Sequence, residues 1–153
     1  PRNPACGICP WNASCKGRVN GTASLLPQKR PKLQKPTRYG IIYYVERCDG
    51  AVLLEKRPET GLLGGMLGFP GSPWQEIAKD APPIHATWRA LNDEVRHTFT
   101  HFHLRLAIRV AEVGQNAEPL VGSFVPKNAF SPSALPTVMR KVFNLVKSGD
   151  KLT

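Results

Sequence analysis

The sequence predicts a mixed α+β domain over residues 39–150, preceded by an irregular and strongly basic segment. Three observations support this prediction. Two runs of β-branched and aromatic residues flank an Asp-Gly turn, a later stretch alternates apolar with polar residues, and the C-terminal part has the spacing of an amphipathic helix. Fifteen Pro and thirteen Gly imply many turns, which argues against a helical bundle or a coiled coil.

The first predicted element is a β-hairpin. Residues 41–45 and 51–54 have strand-forming side chains, and Cys48-Asp49-Gly50 lies between them with a strong hairpin dipeptide. Residues 61–71 then hold five glycines in eleven positions. That density predicts a loop and a short strand where the backbone approaches another group closely.

The second half of the domain adds a strand and a helix. Residues 73–92 predict a short helix at 74–79 followed by irregular chain. From Phe102 to Val110 every second residue is apolar, which predicts a strand with one buried and one wet face. Between Pro136 and Gly149 apolar residues recur at helical spacing and predict a helix packed on the sheet; they are Val138, Met139, Val142, Phe143 and Val146.

Positive charge is concentrated at the N-terminal end. The formal net charge is +10, and residues 1–40 contain eight basic side chains and no acidic one, so the rest of the chain carries only +2. We expect residues 17–38 to form an extended linker that follows the phosphates of a polyanion, the alternative being a solvated spacer. The linker cations that we expect to contact phosphate are Lys29, Arg30, Lys32 and Lys35. No apolar run approaches the roughly 18 residues of a membrane-spanning helix, which excludes a transmembrane protein.

Three cysteines lie close together near the start of the chain. Cys6, Cys9 and Cys15 form a C-x2-C-x5-C pattern among Gly, Pro and small residues. Thiolates at this spacing can converge on one soft metal centre without secondary structure between them. Disulfides, or a zinc site with a fourth ligand elsewhere, are the alternatives, although the charge pattern favours a reducing compartment. Cys48, in the predicted hairpin turn, is interpreted as an ordinary small side chain.

The cysteine spacing and the Pro-rich basic linker resemble the end of the cluster loop in DNA glycosylases of the helix-hairpin-helix superfamily, whose pattern is C-x6-C-x2-C-x5-C. The resemblance implies that residues 1–16 are the tail of such a loop and supply three ligands to a four-iron four-sulfur cluster (4Fe-4S). The first ligand would then lie just ahead of Pro1. We therefore expect a fragment of a longer protein that binds the cluster poorly by itself.

The Gly-rich stretch and the run His-Thr-Phe-Thr-His-Phe-His-Leu at 97–104 resemble the C-terminal, Nudix-like domain of A/G-specific adenine DNA glycosylases, in which a Phe-Ser-His loop precedes a long strand. A working Nudix hydrolase needs a G-x5-E-x7-R-E-x2-E-E-x-G box. After Gly71 only Glu76, Asp93 and Glu94 are available, at other spacings. The resemblance therefore implies a Nudix-like mixed sheet with packed helices that binds instead of hydrolysing.

The same resemblance gives the lesion-binding residues. Thr100 takes the position of the family's Ser, with Phe99 and His101 on either side. Oxidation of guanine to 8-oxoguanine turns the N7 acceptor into an N–H donor and adds a carbonyl at C8, and one hydroxyl can accept from the first and donate to the second. Core packing is the alternative for Phe99, and simple solvation the alternative for His101.

The hypothesis is DNA base-excision repair. The chain would be the C-terminal portion of an adenine DNA glycosylase, which removes adenine mispaired with 8-oxoguanine or guanine, and the catalytic Glu and Asp would lie in the upstream helical domain. Its expected partners are double-stranded DNA with such a pair and that catalytic domain, with no membrane contact and a monomeric state. We expect it in the cytoplasm, on the bacterial nucleoid when bound to DNA. A Nudix-type nucleoside pyrophosphatase and a zinc-dependent nucleic-acid adaptor are the alternatives.

Overall fold

The computed structural model describes residues 3–28 and 34–149, which form two compact units with a boundary between Gln34 and Lys35. Three of the predicted phosphate-contacting residues, Lys29, Arg30 and Lys32, lie outside the described residues.

The first unit consists of short helical turns. Three 3-10 turns span Cys6–Ile8, Asn12–Ser14 and Ala23–Leu25, and α1 spans Lys16–Val19. No residue of these four elements is buried, and Trp11 is 75% exposed. Local backbone hydrogen bonds therefore maintain these turns, as where Val19 N donates to Cys15 O at 3.0 Å. The predicted extended conformation of the linker, residues 17–38, is wrong for residues 17–19 and 23–25, because such local bonds hold them in helical turns.

The second unit is built on a mixed six-stranded sheet. Its strands are β1 Thr37–Arg47, β2 Val52–Lys56, β3 Leu67–Gly68, β4 Arg89–Thr98, β5 His103–Val113 and β6 Ser123–Val125. Their order is β3-β2-β1-β5-β4, and β6 pairs with β2. β1 and β5 are parallel along their whole length, and the other pairs are antiparallel.

One long helix packs on the sheet. A 3-10 turn at Pro132–Ala134 leads into α2, Thr137–Gly149, and the Pro136 carbonyl accepts the first helical hydrogen bond, from Arg140 N at 2.9 Å. The α2 side chains buried in the main core are Val138, Met139, Val142 and Val146, as predicted, and the predicted Phe143 is partly buried against it. In the described part of the chain no helix has the length and apolarity needed to cross a bilayer. The predicted α+β class is confirmed.

The predicted hairpin and alternating strand are also confirmed. Asp49 Oδ1 accepts from Ala51 N at 3.1 Å, and Gly50 adopts a positive φ of 80° in the turn between β1 and β2. In β5 and the residue before it, the predicted apolar face is buried, namely Phe102, Leu104, Leu106, Ile108 and Val110, and Ala111 is buried as well.

The predicted helix at 74–79 is wrong. β1 meets β2 near its C-terminal end, at Glu46 and Val52, and the earlier part of β1 pairs instead with residues 70–75. Tyr39 and Gln75 exchange two backbone hydrogen bonds, of 2.7 and 3.1 Å. These backbone groups of β1 draw the segment into an extended conformation, because buried N–H and C=O groups need partners.

The sequence does not predict strand β4, and the irregular chain predicted up to residue 92 is wrong from Arg89 onward. β4 lies at the edge of the sheet, is rich in polar residues, and shifts register between Ala90 and Glu94. Such a bulge interrupts the period-two alternation by which a strand is recognised.

Candidate nucleic-acid interface

The predicted lesion-binding residues lie in the loop that joins β4 to β5. Thr98 pairs with His103, and Phe99 N donates to Phe102 O at 2.9 Å, so residues 99–102 form a closed turn that we term the Thr100 loop. Thr100 and His101 are exposed. Among residues 34–149 the Thr100 hydroxyl has no hydrogen-bond partner, so its donor and its lone pairs are available to a ligand.

Phe99 anchors the Thr100 loop by packing against neighbouring rings. The Phe99 ring stacks on Trp74 with centroids 5.8 Å apart, and it contacts the edge of His97 at 4.6 Å and Phe102 at 5.0 Å. Phe99 is half-buried against the main core. The structure therefore places Phe99 as a packed support, and the next residue, Thr100, is exposed.

Gly40 leaves the space that the Trp74 ring occupies next to Phe99. A Cβ at Gly40 in β1 would lie 2.7 Å from Trp74 Cδ1 and 3.1 Å from Leu106 Cδ2. Only a residue without a side chain lets the indole reach Phe99. Neither Gly40 nor Trp74 is among the site residues predicted from the sequence, although a glycine inside a strand is a signal of close approach.

Polar groups complete the surroundings of the loop. Lys35, the one predicted linker cation among the described residues, donates from Nζ to Phe99 O at 2.9 Å. Thr98 Oγ1 and His103 Nδ1 lie 2.9 Å apart at the base of the loop. Burial lowers the pKa of His97, and the nearby Lys141 charge lowers it further, which favours the neutral imidazole at pH 7.

The three N-terminal cysteines are free thiols. Cys6 and Cys15 are half-exposed and Cys9 is exposed. Soft thiolate donors suit an iron–sulfur centre. Within residues 3–28 and 34–149, however, no three Cys, His, Asp or Glu side chains are grouped to hold a metal ion. The donor chemistry fits such a centre, whereas the arrangement described does not bring the three thiols around one point.

The carboxylates after Gly71 are likewise separate. Glu94 accepts from Arg105 Nε at 2.9 Å and from Arg96 Nε at 2.6 Å, and these two cations lower the pKa of its carboxyl. Glu76 is exposed in the segment before β4, and Asp93 is exposed on β4 itself. Nothing in this arrangement draws these three side chains together as ligands for a hard cation.

Comparison with known proteins identifies the class. A model of the NUDIX domain matches residues 41–145, so the chain belongs to the NUDIX domain family. The iron-sulfur binding domain of endonuclease III matches residues 1–15.

Individual relatives are more specific. The human (Homo sapiens) adenine DNA glycosylase is 27% identical over 169 residues, an alignment that covers 95% of this chain and 30% of the human protein. The fold is similar to the C-terminal domain of mouse MUTYH, solved in complex with human PCNA, with a TM-score of 0.52, 21% identity, and coverage of 74% of this chain and 90% of that one.

The MutT protein from Methanosarcina mazei Go1 gives a TM-score of 0.58 at 15% identity, over 78% of this chain and 99% of that one. Together, these similarities confirm the predicted resemblance to the C-terminal part of adenine DNA glycosylases. The chain spans less than a third of the length of its human relative.

Proposed function

We propose that this chain is the lesion-recognition part of a DNA base-excision repair glycosylase and binds duplexes that contain 8-oxoguanine opposite adenine, or a G:A pair. The observation that carries the proposal is the exposed Thr100 hydroxyl, which has no partner in the described part of the chain and lies in a loop packed on aromatic rings. The similarity to the human adenine DNA glycosylase supports it. Residues 39–150 would recognise the lesion, and residues 17–38 would form the basic interdomain linker. Cleavage of the glycosidic bond would belong to an upstream domain.

The chemistry of discrimination follows from one hydroxyl. Thr100 can accept a hydrogen bond from the N7–H of 8-oxoguanine and donate one to its C8 carbonyl. Unmodified guanine offers only the N7 acceptor at that position, to which the hydroxyl can donate. Thr100 therefore confers a preference and not absolute rejection. The Thr100 methyl group restricts χ1, and the stacking of Phe99 on Trp74 limits movement of the loop. The hydroxyl is therefore held in place before DNA binds.

The first unit would contribute through the iron–sulfur centre. Cys6, Cys9 and Cys15 would supply three thiolates to a 4Fe-4S cluster, and a fourth would come from an upstream segment. A bound cluster supplies a fixed centre to which these turns are tied, so that metal binding and local folding are coupled. We further propose that the protein acts as a monomer on nucleoid DNA in the cytoplasm.

Binding measurements with matched variants test the proposal. Thr100→Val keeps the shape of the side chain and removes the hydroxyl, whereas Thr100→Ser keeps the hydroxyl. We expect Thr100→Val to weaken discrimination between 8-oxoguanine:A and G:A duplexes by about 1–3 kcal/mol at fixed salt, and Thr100→Ser to retain most of it. If Thr100→Val weakens binding equally on both duplexes, Thr100 supports docking and does not read the lesion.

A metal-dependent nucleoside pyrophosphatase is the second candidate, favoured by membership of the NUDIX family and by the MutT-like fold. Its difficulty is that Glu94 is already paired with two arginines. Hydrolysis of a nucleoside triphosphate by the purified chain with magnesium would support this candidate. Zinc instead of iron in a longer chain that begins ahead of Pro1 would favour the zinc-dependent adaptor.

A further inference from the structure

We propose that a phosphate-binding surface lies around the Thr100 loop and binds the DNA backbone regardless of base sequence. It consists of Lys35, Arg38 and Arg57, which we term the loop cations. This inference rests on the proposed function and adds to it the part of the second unit that would supply general DNA affinity.

Each loop cation is held next to an aromatic ring or a carbonyl of the same cluster. The Arg38 guanidinium lies 4.5 Å from the centroid of the Phe102 ring, and the Arg57 guanidinium lies 4.8 Å from that of Trp74. Lys35 is fixed by its hydrogen bond to the loop backbone. Arg38 and Lys35 are exposed, and Arg57 is half-exposed.

The rings join these cations into one surface. Phe99 lies between the two arginine-bearing rings, 5.0 Å from Phe102 and 5.8 Å from Trp74. The Phe99 ring therefore contacts two rings that each carry a guanidinium, and the Lys35 ammonium donates to the backbone carbonyl of the same Phe99. Thr100 follows Phe99 in the chain, so the proposed lesion contact is next in sequence to the residue around which the loop cations are grouped.

The loop cations differ from many basic side chains of the second unit in lacking an acidic partner. The ion pairs of that unit include Arg47–Asp49, Lys56–Glu59, Arg96–Glu94, Arg105–Glu94, Arg109–Asp80 and Lys147–Glu46. Across residues 34–149 no carboxylate pairs with Lys35, Arg38 or Arg57. Their positive charge is therefore available to an external anion.

Stacking on a ring suits phosphate binding. A guanidinium over an aromatic face keeps its N–H groups at its edge, where they can donate to phosphate oxygens. Because the ring limits the rotamers of the side chain before DNA arrives, less conformational freedom is lost on binding. A cation paired with a carboxylate would first have to release that partner.

The salt dependence of binding tests this surface. In the 153-residue chain, Arg38→Gln and Arg57→Gln should each reduce the slope of log Kobs against log salt concentration by about 0.9, the value for one lost phosphate contact. We expect each substitution to weaken binding by the same factor on 8-oxoguanine:A and undamaged duplexes. Arg38→Lys and Arg57→Lys keep the charge and should retain most of the slope, which separates lost charge from misfolding.

Arg47→Gln is the matched control. It removes the same charge from the same strand, but Arg47 pairs with Asp49 and lies nine residues from Arg38, or about 30 Å along β1. Its slope should equal that of the unsubstituted chain. The proposed surface is wrong if Arg38→Gln and Arg57→Gln give the slope of Arg47→Gln.

The outcomes separate the two proposals. A reduced slope in the arginine variants, together with unchanged discrimination in Thr100→Val, keeps the phosphate surface and rejects lesion reading by Thr100. If Thr100→Val loses discrimination and the arginine variants keep the slope of the unsubstituted chain, lesion reading by Thr100 is supported and the phosphate surface is wrong. If the unsubstituted chain binds neither duplex, the phosphate surface and lesion reading by Thr100 are both wrong.

Discussion

Gly40→Ala tests how the Thr100 loop is supported. The new Cβ would lie 2.7 Å from Trp74 Cδ1, 3.1 Å from Leu106 Cδ2 and 3.3 Å from Trp74 Nε1. Carbon atoms normally approach no closer than about 3.5 Å, so the indole must move by nearly an ångström or leave. Leu106 is fully buried and has little space in which to yield.

Two routes give the size of the effect. Forcing extra volume into a packed site costs about 1–3 kcal/mol. If Trp74 swings outward instead, it loses its stack on Phe99, worth about 0.5–1.5 kcal/mol, and its contact with Arg57, worth about 0.5–1 kcal/mol. Both routes predict that Gly40→Ala lowers the free energy of unfolding by about 1–3 kcal/mol. A loss of 2 kcal/mol corresponds to a fall of about 1 M in the urea midpoint at an m-value of about 2 kcal/mol/M.

Urea unfolding of five chains completes the test: the unsubstituted chain, Gly40→Ala, Gly114→Ala, Trp74→Ala and the Gly40→Ala/Trp74→Ala double variant. Gly114→Ala is the control, because nothing lies within 4 Å of a Cβ at that position. It should be neutral or slightly stabilising, through the smaller entropy of the unfolded chain. In a Trp74→Ala background the main obstacle is gone, so Gly40→Ala should cost clearly less. An equal cost with and without the indole would refute the role given to Gly40.

Three further predictions concern pH, the core and the metal. Hydrogen bonds from Tyr43 and Arg109 lower the pKa of the Asp80 carboxyl, so its stabilising effect is complete above the unfolded pKa of about 3.9 and is lost as pH falls towards the lower folded value. Asp80→Asn should therefore destabilise the protein at pH 7, and the effect should shrink as pH falls below the unfolded value of about 3.9, measured by urea unfolding across pH. Leu106→Ala should lower the free energy of unfolding by about 2–5 kcal/mol in the same assay, and a loss below about 1 kcal/mol would mean that the core collapses around the cavity. In a longer chain that includes the upstream segment, Cys9→Ser should lower the iron bound per molecule in elemental analysis; unchanged iron would contradict its role as a ligand.

Elements that depend on near neighbours could be predicted from the sequence. The turn at Asp49 and Gly50 follows from the conformations those two residues allow, and the alternation from Phe102 to Val110 requires only that one face be buried. The spacing of apolar residues in α2 is equally local. The resemblance to a known family draws attention to the Thr100 loop, and the structure supplies the exposure of Thr100 and a hydroxyl without a partner among residues 34–149.

Only the tertiary structure decided the conformation of residues 74–79, the pairing of β1 with β5 and the position of Arg38, because the groups that contact each other there are distant in the chain. Residues 74–79 are not helical, since the backbone of β1 near Tyr39 offers hydrogen bonds that no local pattern reveals. The parallel pairing of β1 with β5 joins Thr37 to His103 across most of the domain. Likewise, Arg38 was only one basic residue among many until the fold placed it over Phe102, beside the loop it would serve. Composition and spacing thus set the turns, the periodic elements and the excess of positive charge. Packing between distant segments decided which of those charges remain without an acidic partner beside Thr100.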